Sequence, residues 1–495
     1  MTTLNPRKPY TDEELNRLYP PNLELQLVQI LMRHGERTPV NARFENTGLP
    51  AYWPYCSSVR KLISPILTPS NDPNPKLSTM EWTRRLETFS NKSDAPVLAT
   101  GASSNNPDNI CDMGTLTDLG RTTTYYLGMR LRDLYINRLA FLPPAITPTT
   151  PTSSTFYLRT TPVPRALESL QQTFSALYPP HTRDPTVPPP TIVTRVHADE
   201  TLYPNDGNCR RFAELSRIFA QRAANKWNNT KEMDYLNSLY GKYMPDGPNS
   251  RVAVDSRPRL SGIMDTINAT LAHGPDTKLP DAFYDEKGRE IIEKIGMEEW
   301  FAGYNESREY RMLGIGGLLG DLVGRMVSSA ETAGKGIKFG LHGCHDTTLA
   351  GVLMGLGAYP NERWPPFTSH IAVEMFREAK DGEERRSWWS SMFGSGGGVS
   401  GGGGQIGRRP TEELSEGEKK KLEGYYVRLR YNDEPVTIPG CKKLGNHLEG
   451  DESFCTLAAF KEIVDKFTPT NWKQQCRMNK SLPPTPSGEP EMAGN

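Results

Sequence analysis

Nowhere in the 495 residues does an uninterrupted apolar run approach the ~20 residues that a membrane-spanning helix requires. Net charge is also missing. Lysine plus arginine number 58 and aspartate plus glutamate 58, so the basic excess of a generic nucleic-acid or acidic-membrane binder is absent. That balance leaves room for a locally positive pocket. Cysteine is scarce: seven residues, widely scattered and without a C-x-x-C pair, are too few for a disulfide scaffold. Hydrophobic residues reach only 36%, while 42 prolines and 43 glycines imply long loops around a modest core. The amino terminus has no apolar stretch of a secretory signal, and Asp12, Glu13 and Glu14 suit a mitochondrial presequence poorly. The default expectation is a cytoplasmic protein, secreted or mitochondrial only if an upstream start precedes Met1. Five Asn-x-Ser/Thr sequons, at Asn91, Asn228, Asn268, Asn305 and Asn479, are close to the number chance supplies and carry no information.

What is present alternates between strand and helix. Leu23 to Met32 is a nearly continuous apolar run of strand length, and residues 154–158 and 336–341 are further strand candidates. Helical periodicity follows the second over Ala166 to Leu177 and the third over Thr347 to Leu356, which points to an α/β sheet with parallel strands. Thr117 to Tyr135 reads as another helix. Residues 1–22 are expected to be an extended lead-in, and 40–110 a long decorated loop. The α/β core is expected over 23–208 and 310–476, with a helical cap, 209–309, inserted in it. Within the core, 378–421 carries a charged and Gly-rich insert without a packable face, flanked by a hairpin of His370 to Arg377 and Tyr425 to Tyr431. Residues 477–495 are expected to be a disordered tail. Gly314 to Gly324 is glycine-rich but misses G-x-G-x-x-G, so close helix packing is its better account.

All three parallel-strand candidates run into polar clusters. The first ends in Arg33-His34-Gly35-Glu36-Arg37-Thr38-Pro39, the second in Arg159-Thr160-Thr161 with Arg165 beyond, the third in His342-Gly343-Cys344-His345-Asp346. Ligands of open α/β sheets bind at the carboxyl ends of strands. Arginine's fixed fork suits phosphate oxygens, a histidine can attack phosphorus, and an aspartate can protonate a departing oxygen. Gly35 allows a tight turn and close approach of phosphate to the backbone. His342 and His345, three apart, lack the further ligands that a metal site needs, so no metal and no cofactor are expected.

The pattern R-H-G-x-R-x-P has a chance frequency on the order of 10⁻⁴ in a chain of this length. It resembles the signature of the histidine acid phosphatases, the second branch of the histidine phosphatase superfamily. Residues 114–135, 157–179 and 345–376 resemble further segments of that family in its order. The Thr347-Thr348-Leu349-Ala350-Gly351 run is nearest to prostatic, lysosomal and lysophosphatidic acid phosphatases. The resemblance implies a doubly wound, mostly parallel sheet with helices on both faces, of the phosphoglycerate-mutase-like kind. It also implies hydrolysis of phosphate monoesters through a phosphohistidine on His34, with Asp346 as proton donor and Arg33, Arg37, Arg159 and His345 on the phosphoryl oxygens. Glu36, at the variable motif position, brings a carboxylate towards the site, and Arg165 reads equally as a helix-start surface cation. The cysteine pairs implied are Cys209–Cys476 and Cys441–Cys455. The expected partner is a small-molecule or lipid phosphate monoester, with no nucleic acid and no membrane span. The sequence does not set the oligomeric state. The competing readings are a catalytically silent phospho-ligand binder or scaffold on the same fold, a phosphomutase, and a phytase-like enzyme.

Overall fold

The computed structural model describes residues 7–58, 61–66, 78–90, 92–101, 107–150, 152–245, 251–359, 363–379, 406–477 and 491–494. Two compact units are distinguished. The larger contains residues 3–34, 124–226 and 293–495; the smaller contains 35–123 and 227–292, with residues 1–2.

The larger unit is built on a nine-stranded sheet: β1 (Leu23–Arg33), β2 (Phe156–Thr160), β3 (Ile192–Val193), β4 (Phe339–Cys344), β5 (His370–Glu378), β6 (Tyr425–Tyr431), β7 (Glu434–Val436), β8 (His447–Leu448) and β9 (Asp451–Thr456). Their order is β8-β9-β6-β5-β1-β4-β2-β3, with β7 paired to β6. The run β1-β4-β2-β3 is parallel. From β1 outward on the other side, β5, β6, β9 and β8 pair antiparallel. The sheet is therefore mixed, with its parallel half at the strands that carry the polar clusters. β5 and β6 pair antiparallel, as the expected hairpin of His370 to Arg377 and Tyr425 to Tyr431 requires.

Period-two alternation buries both faces. Leu27 and Leu31 of β1 join one apolar cluster, while Val28, Ile30 and Met32 join the other. Helices cover each. On the face of Val28 lie α1 (Asp12–Leu18), the later part of α2 (Asp118–Arg132) and α3 (Pro164–Leu177). On the face of Leu27 lie α4 (Arg210–Trp227), the later part of α5 (Glu286–Glu306), α6 (Gly317–Glu331), α7 (Asp346–Gly355) and α8 (Leu457–Asp465).

Several segments differ from expectation. Residues 12–18 of the lead-in are helical, because the Thr11 side chain caps the amide of Glu14 and three acidic residues occupy the first turn. The stretch 40–110 contains two antiparallel ribbons, Lys61–Ile66 with Ser78–Thr83 and Glu87–Phe89 with Pro96–Leu98. Residues 380–405 of the expected insert, 378–421, lie outside the described residues, whereas Ile406 and Leu414 within it and Leu422 just beyond it are buried in the larger unit's core, so this end of the insert does pack. Of the tail, 478–490 and 495 lie outside the described residues; Ala493 is buried and donates its amide to the Asn305 carbonyl, 3.2 Å. Gly316 lies in a helical stretch where an added Cβ would sit 2.1 Å from the Phe467 carbonyl oxygen, so close packing explains that glycine. Among the described residues no helix is long and apolar enough to cross a membrane.

The smaller unit has its own apolar core, in which Phe283 stacks on Tyr240 (4.8 Å between ring centroids) and meets Phe44 edge-on (4.9 Å).

Candidate active site

In the larger unit the carboxyl ends of β1, β4 and β2 lie side by side, Arg33 opposite Cys344 and Thr160 opposite Gly343. Parallel pairing thus delivers three loops to one edge. His34 leaves β1 with its amide bonded to the Cys344 carbonyl, and its ring centroid lies 5.5 Å from that of His345. Both rings are almost wholly buried. His345 caps α7 with its amide donating to Thr348 Oγ1, and its Nε2 is 3.0 Å from Thr161 Oγ1 on the loop after β2. Asp346 opens α7. Its Oδ2 takes Arg33 Nη2 at 2.7 Å and Trp364 Nε1 at 3.0 Å, and its Oδ1 accepts the Thr347 amide. His34, His345, Arg33 and Asp346, distant in sequence, are one cluster.

The continuation of the motif belongs to the smaller unit. An added Cβ on Gly35 would sit 2.3 Å from the Gly120 carbonyl oxygen, and one on Gly120 would sit 2.2 Å from the Glu36 carbonyl oxygen. Two backbones meet without room for a side chain on either. This ties the R-H-G motif to the Leu116-Thr117-Asp118-Leu119-Gly120 segment, and it is the demand the structure makes of Gly35. Thr117 reinforces the contact, its amide donating to the Glu36 carbonyl at 3.0 Å. The Glu36 side chain is fully buried and accepts from Thr123 Oγ1 at 2.5 Å, which gives it a holding role inside the unit. Arg37 donates to Asp265 Oδ1 at 2.7 Å, while Oδ2 takes Arg43 at 3.2 Å. Burial alone would raise the Asp265 pKa; Arg37 and Arg43 overcome it and hold the carboxyl below its usual range. His273 is buried and its pKa falls to about 4. Its neutral ring fits a donor at Nδ1 to the Ala269 carbonyl and an acceptor at Nε2 for Thr117.

Arg159 and Arg165 have different surroundings. Arg159 is 0% exposed, with Nη2 on Glu200 Oε1 at 2.6 Å and Nη1 on Asp321 Oδ2 at 3.3 Å. Burial would push Asp321 up, but Arg195 and Arg408 keep its carboxyl below the usual range, so it stays anionic beside Arg159. Arg165 instead occupies the first turn of α3, directly after Pro164, the helix that follows β2. His342 faces the interior: Nε2 accepts from Arg325 at 3.1 Å and Nδ1 donates to the Ile30 carbonyl at 3.1 Å. Burial, then Arg325, drives its pKa well below the ordinary value.

The structure joins Cys209 to Cys476 and Cys441 to Cys455. It also joins Cys56 to Cys111, a pair the sequence did not single out. Cys344 stays a thiol, pushed up to about 12 by burial. Among the described residues no group of three or more His, Cys, Asp or Glu is placed to hold a metal ion.

The geometry agrees with comparisons to known proteins. A probable acid phosphatase of Schizosaccharomyces pombe is 34% identical over 465 residues, covering 93% of this chain and 95% of that protein. Lysophosphatidic acid phosphatase type 6 of Homo sapiens is 23% identical over 372 residues, 73% of this chain and 76% of its own. Among solved structures, the phytase of Hafnia alvei in complex with tartrate aligns with a TM-score of 0.51 at 13% identity, covering 93% of this chain and all of that one, a likeness of fold. The family profile described as histidine phosphatase superfamily (branch 2) matches residues 24–432. The chain belongs to that branch of the histidine phosphatase superfamily and is a phosphatase of the acid phosphatase kind.

Proposed function

We propose that hydrolysis runs through a phosphohistidine on His34, with Asp346 giving a proton to the leaving alkoxide and then, ionised, activating the water that releases phosphate. The observation that carries this reading is the juxtaposition of the His34 and His345 rings at 5.5 Å with an Arg33–Asp346 ion pair at 2.7 Å. That ion pair has a consequence for the chemistry. A phosphoryl dianion competes for Arg33, so its arrival takes the cation away from Asp346 and puts an anion nearby. Both changes favour the protonated carboxyl, the form the first step needs. Arg33 and His345 then stabilise charge on the phosphoryl oxygens by fixed placement. Arg37, three residues after His34 in the chain, is read as a further phosphate ligand from the family motif, with Asp265 orienting its guanidinium.

Arg159 is bound by two carboxylates and wholly buried, so a phosphate would have to displace Glu200 or Asp321 to reach it. We read Arg165, in the first turn of α3 after β2, as the third arginine in its place. Arg159 then serves as the buried support of the loop after β2. The substrate class is a small-molecule or lipid phosphate monoester.

The test is His34→Ala. Hydrolysis should collapse while vanadate still binds, and rapid-quench labelling of the wild type should reveal an acid-labile, base-stable phosphoenzyme that the variant lacks. Comparable turnover in both proteins would end the phosphohistidine reading.

A further inference from the structure

The loop entering β5 touches Arg33, His34 and Asp346. Because β5 is antiparallel to β1, with His370 opposite Met32, residues 364–369 arrive at the edge where Arg33 and His34 emerge. The Arg33 amide donates to the Ser369 carbonyl at 2.9 Å, and the Thr368 amide donates to the His34 carbonyl at 3.2 Å. Arg33 Nη1 donates to the Pro365 carbonyl, and its guanidinium lies 4.1 Å over the Phe367 ring. The same ring stands 6.0 Å from His34. At the far end, Trp364 Nε1 donates to Asp346 Oδ2.

The segment is stiff by composition and by bonding. Pro365 and Pro366 fix two φ angles, and Ser369 Oγ closes on the Pro366 carbonyl at 2.6 Å. Thr368 sits at φ +60°, a left-handed conformation that a β-branched residue adopts only when its surroundings impose it. Trp364 is anchored from two sides: its amide donates to Glu293 Oε1 at 2.7 Å, and its ring packs against Phe301 (5.2 Å) and Trp300 (6.2 Å). A donor held this firmly sets the direction of the carboxylate it binds.

We propose that residues 364–369 form a positioning strap, in which Trp364 acts as a positioning residue that aims Asp346 at the leaving oxygen while Phe367 seats Arg33 and His34. This rests on the reading of Asp346 as proton donor. The indole N–H fixes Oδ2 in both states of Arg33. When phosphate draws the guanidinium away, the indole keeps the carboxyl from swinging out of line, and the proton on the other oxygen faces the departing group. The role of Trp364 is therefore confined to esters whose leaving group needs a proton.

The experiment compares glycerol phosphate with para-nitrophenyl phosphate in Trp364→Phe, in a variant carrying benzothienylalanine at 364, and in Asp346→Asn. The benzothienyl ring keeps the shape of indole and removes only the N–H, so it answers if the phenylalanine variant folds poorly. For both Trp364 variants kcat on glycerol phosphate should fall roughly tenfold to a hundredfold, the scale of a misaligned reacting group. On para-nitrophenyl phosphate it should fall less than about threefold, because that leaving group needs little general acid help. Inhibition by vanadate should stay within about twofold, since the anion ligands remain. If Asp346→Asn discriminates between the esters and the Trp364 variants do not, the strap proposal is wrong and the proton-donor reading survives. If Asp346→Asn does not discriminate, the donor reading fails first and the role of Trp364 falls with it.

Discussion

Glu374 lies at the centre of β5 with no exposure to solvent, and four side chains converge on it. Arg428 and Arg430 on the neighbouring β6 reach it at 2.8 and 3.0 Å, and the Tyr19 and Tyr135 hydroxyls donate to Oε1 at 2.6 and 2.8 Å. Burial by itself would raise its pKa, yet Arg430 and Arg428 overcome the desolvation and lower it from 4.5 to about 2. A carboxyl depressed in the folded state contributes stability above its unfolded pKa and loses it as pH falls through the folded one. The window is therefore between about pH 4.5 and about 2. That difference corresponds to about 3 kcal/mol, in line with the ~3–5 kcal/mol lost when one partner of a buried ion pair is removed. Glu374→Gln keeps the shape and strips the charge, leaving two nearly fully buried guanidiniums without their anion. Urea unfolding followed by circular dichroism should show the variant about 3 kcal/mol less stable at pH 7. The gap should persist to about pH 4.5 and narrow towards pH 2, where the wild type also loses the charge. A difference below about 1 kcal/mol at pH 7, or one that stays constant down to pH 2, would refute the reasoning.

Two further outcomes test the site. Turnover should ignore EDTA yet be inhibited by vanadate, molybdate or tartrate; activity abolished by the chelator and restored by a divalent ion would overturn a mechanism that draws its positive charge from arginine. Arg165→Ala should raise KM for para-nitrophenyl phosphate by roughly tenfold or more, whereas Arg159→Ala should cost stability first, because Glu200 and Asp321 lose a buried partner. Equal losses of stability in the two variants would contradict the division of labour between them.

The sequence carried three of the four strands of the parallel half and the order of their polar ends, but it ended each strand too early; β3 was not among them. β1 continues through Arg33, β2 through Arg159 and Thr160, and β4 through His342 to Cys344. Polar residues at the carboxyl end of a buried strand look like loop to a periodicity argument, because their partners are brought by other elements. Arg159 shows what stays hidden: the resemblance implied a phosphate contact for it, and nothing local announced its carboxylate partners, Glu200 and Asp321, the latter 162 residues away. Asp265, which orients Arg37 from 228 positions downstream, left no local signal at all. Trp364 and Phe367 were equally silent, since a Trp-Pro-Pro-Phe run before a strand reads as an ordinary turn. Gly35 could be read as a turn and phosphate-approach glycine, but its contact with Gly120 left no local signal. Between 40 and 110 the Pro- and Ser-rich composition hid two short ribbons whose apolar residues, Leu62, Met80, Trp82 and Phe89 among them, are exposed.

The Cys56–Cys111 bond encloses 54 residues, 57–110, among them the exposed basic residues Lys61, Arg84, Arg85 and Lys92. A protease that cuts the backbone at any of these does not divide the molecule. Both halves stay joined through sulfur, and a nicked preparation migrates as a single band until thiol is added. Purity judged on a non-reducing gel therefore says nothing about the integrity of this loop, and a protein that is cleaved in handling can pass for whole.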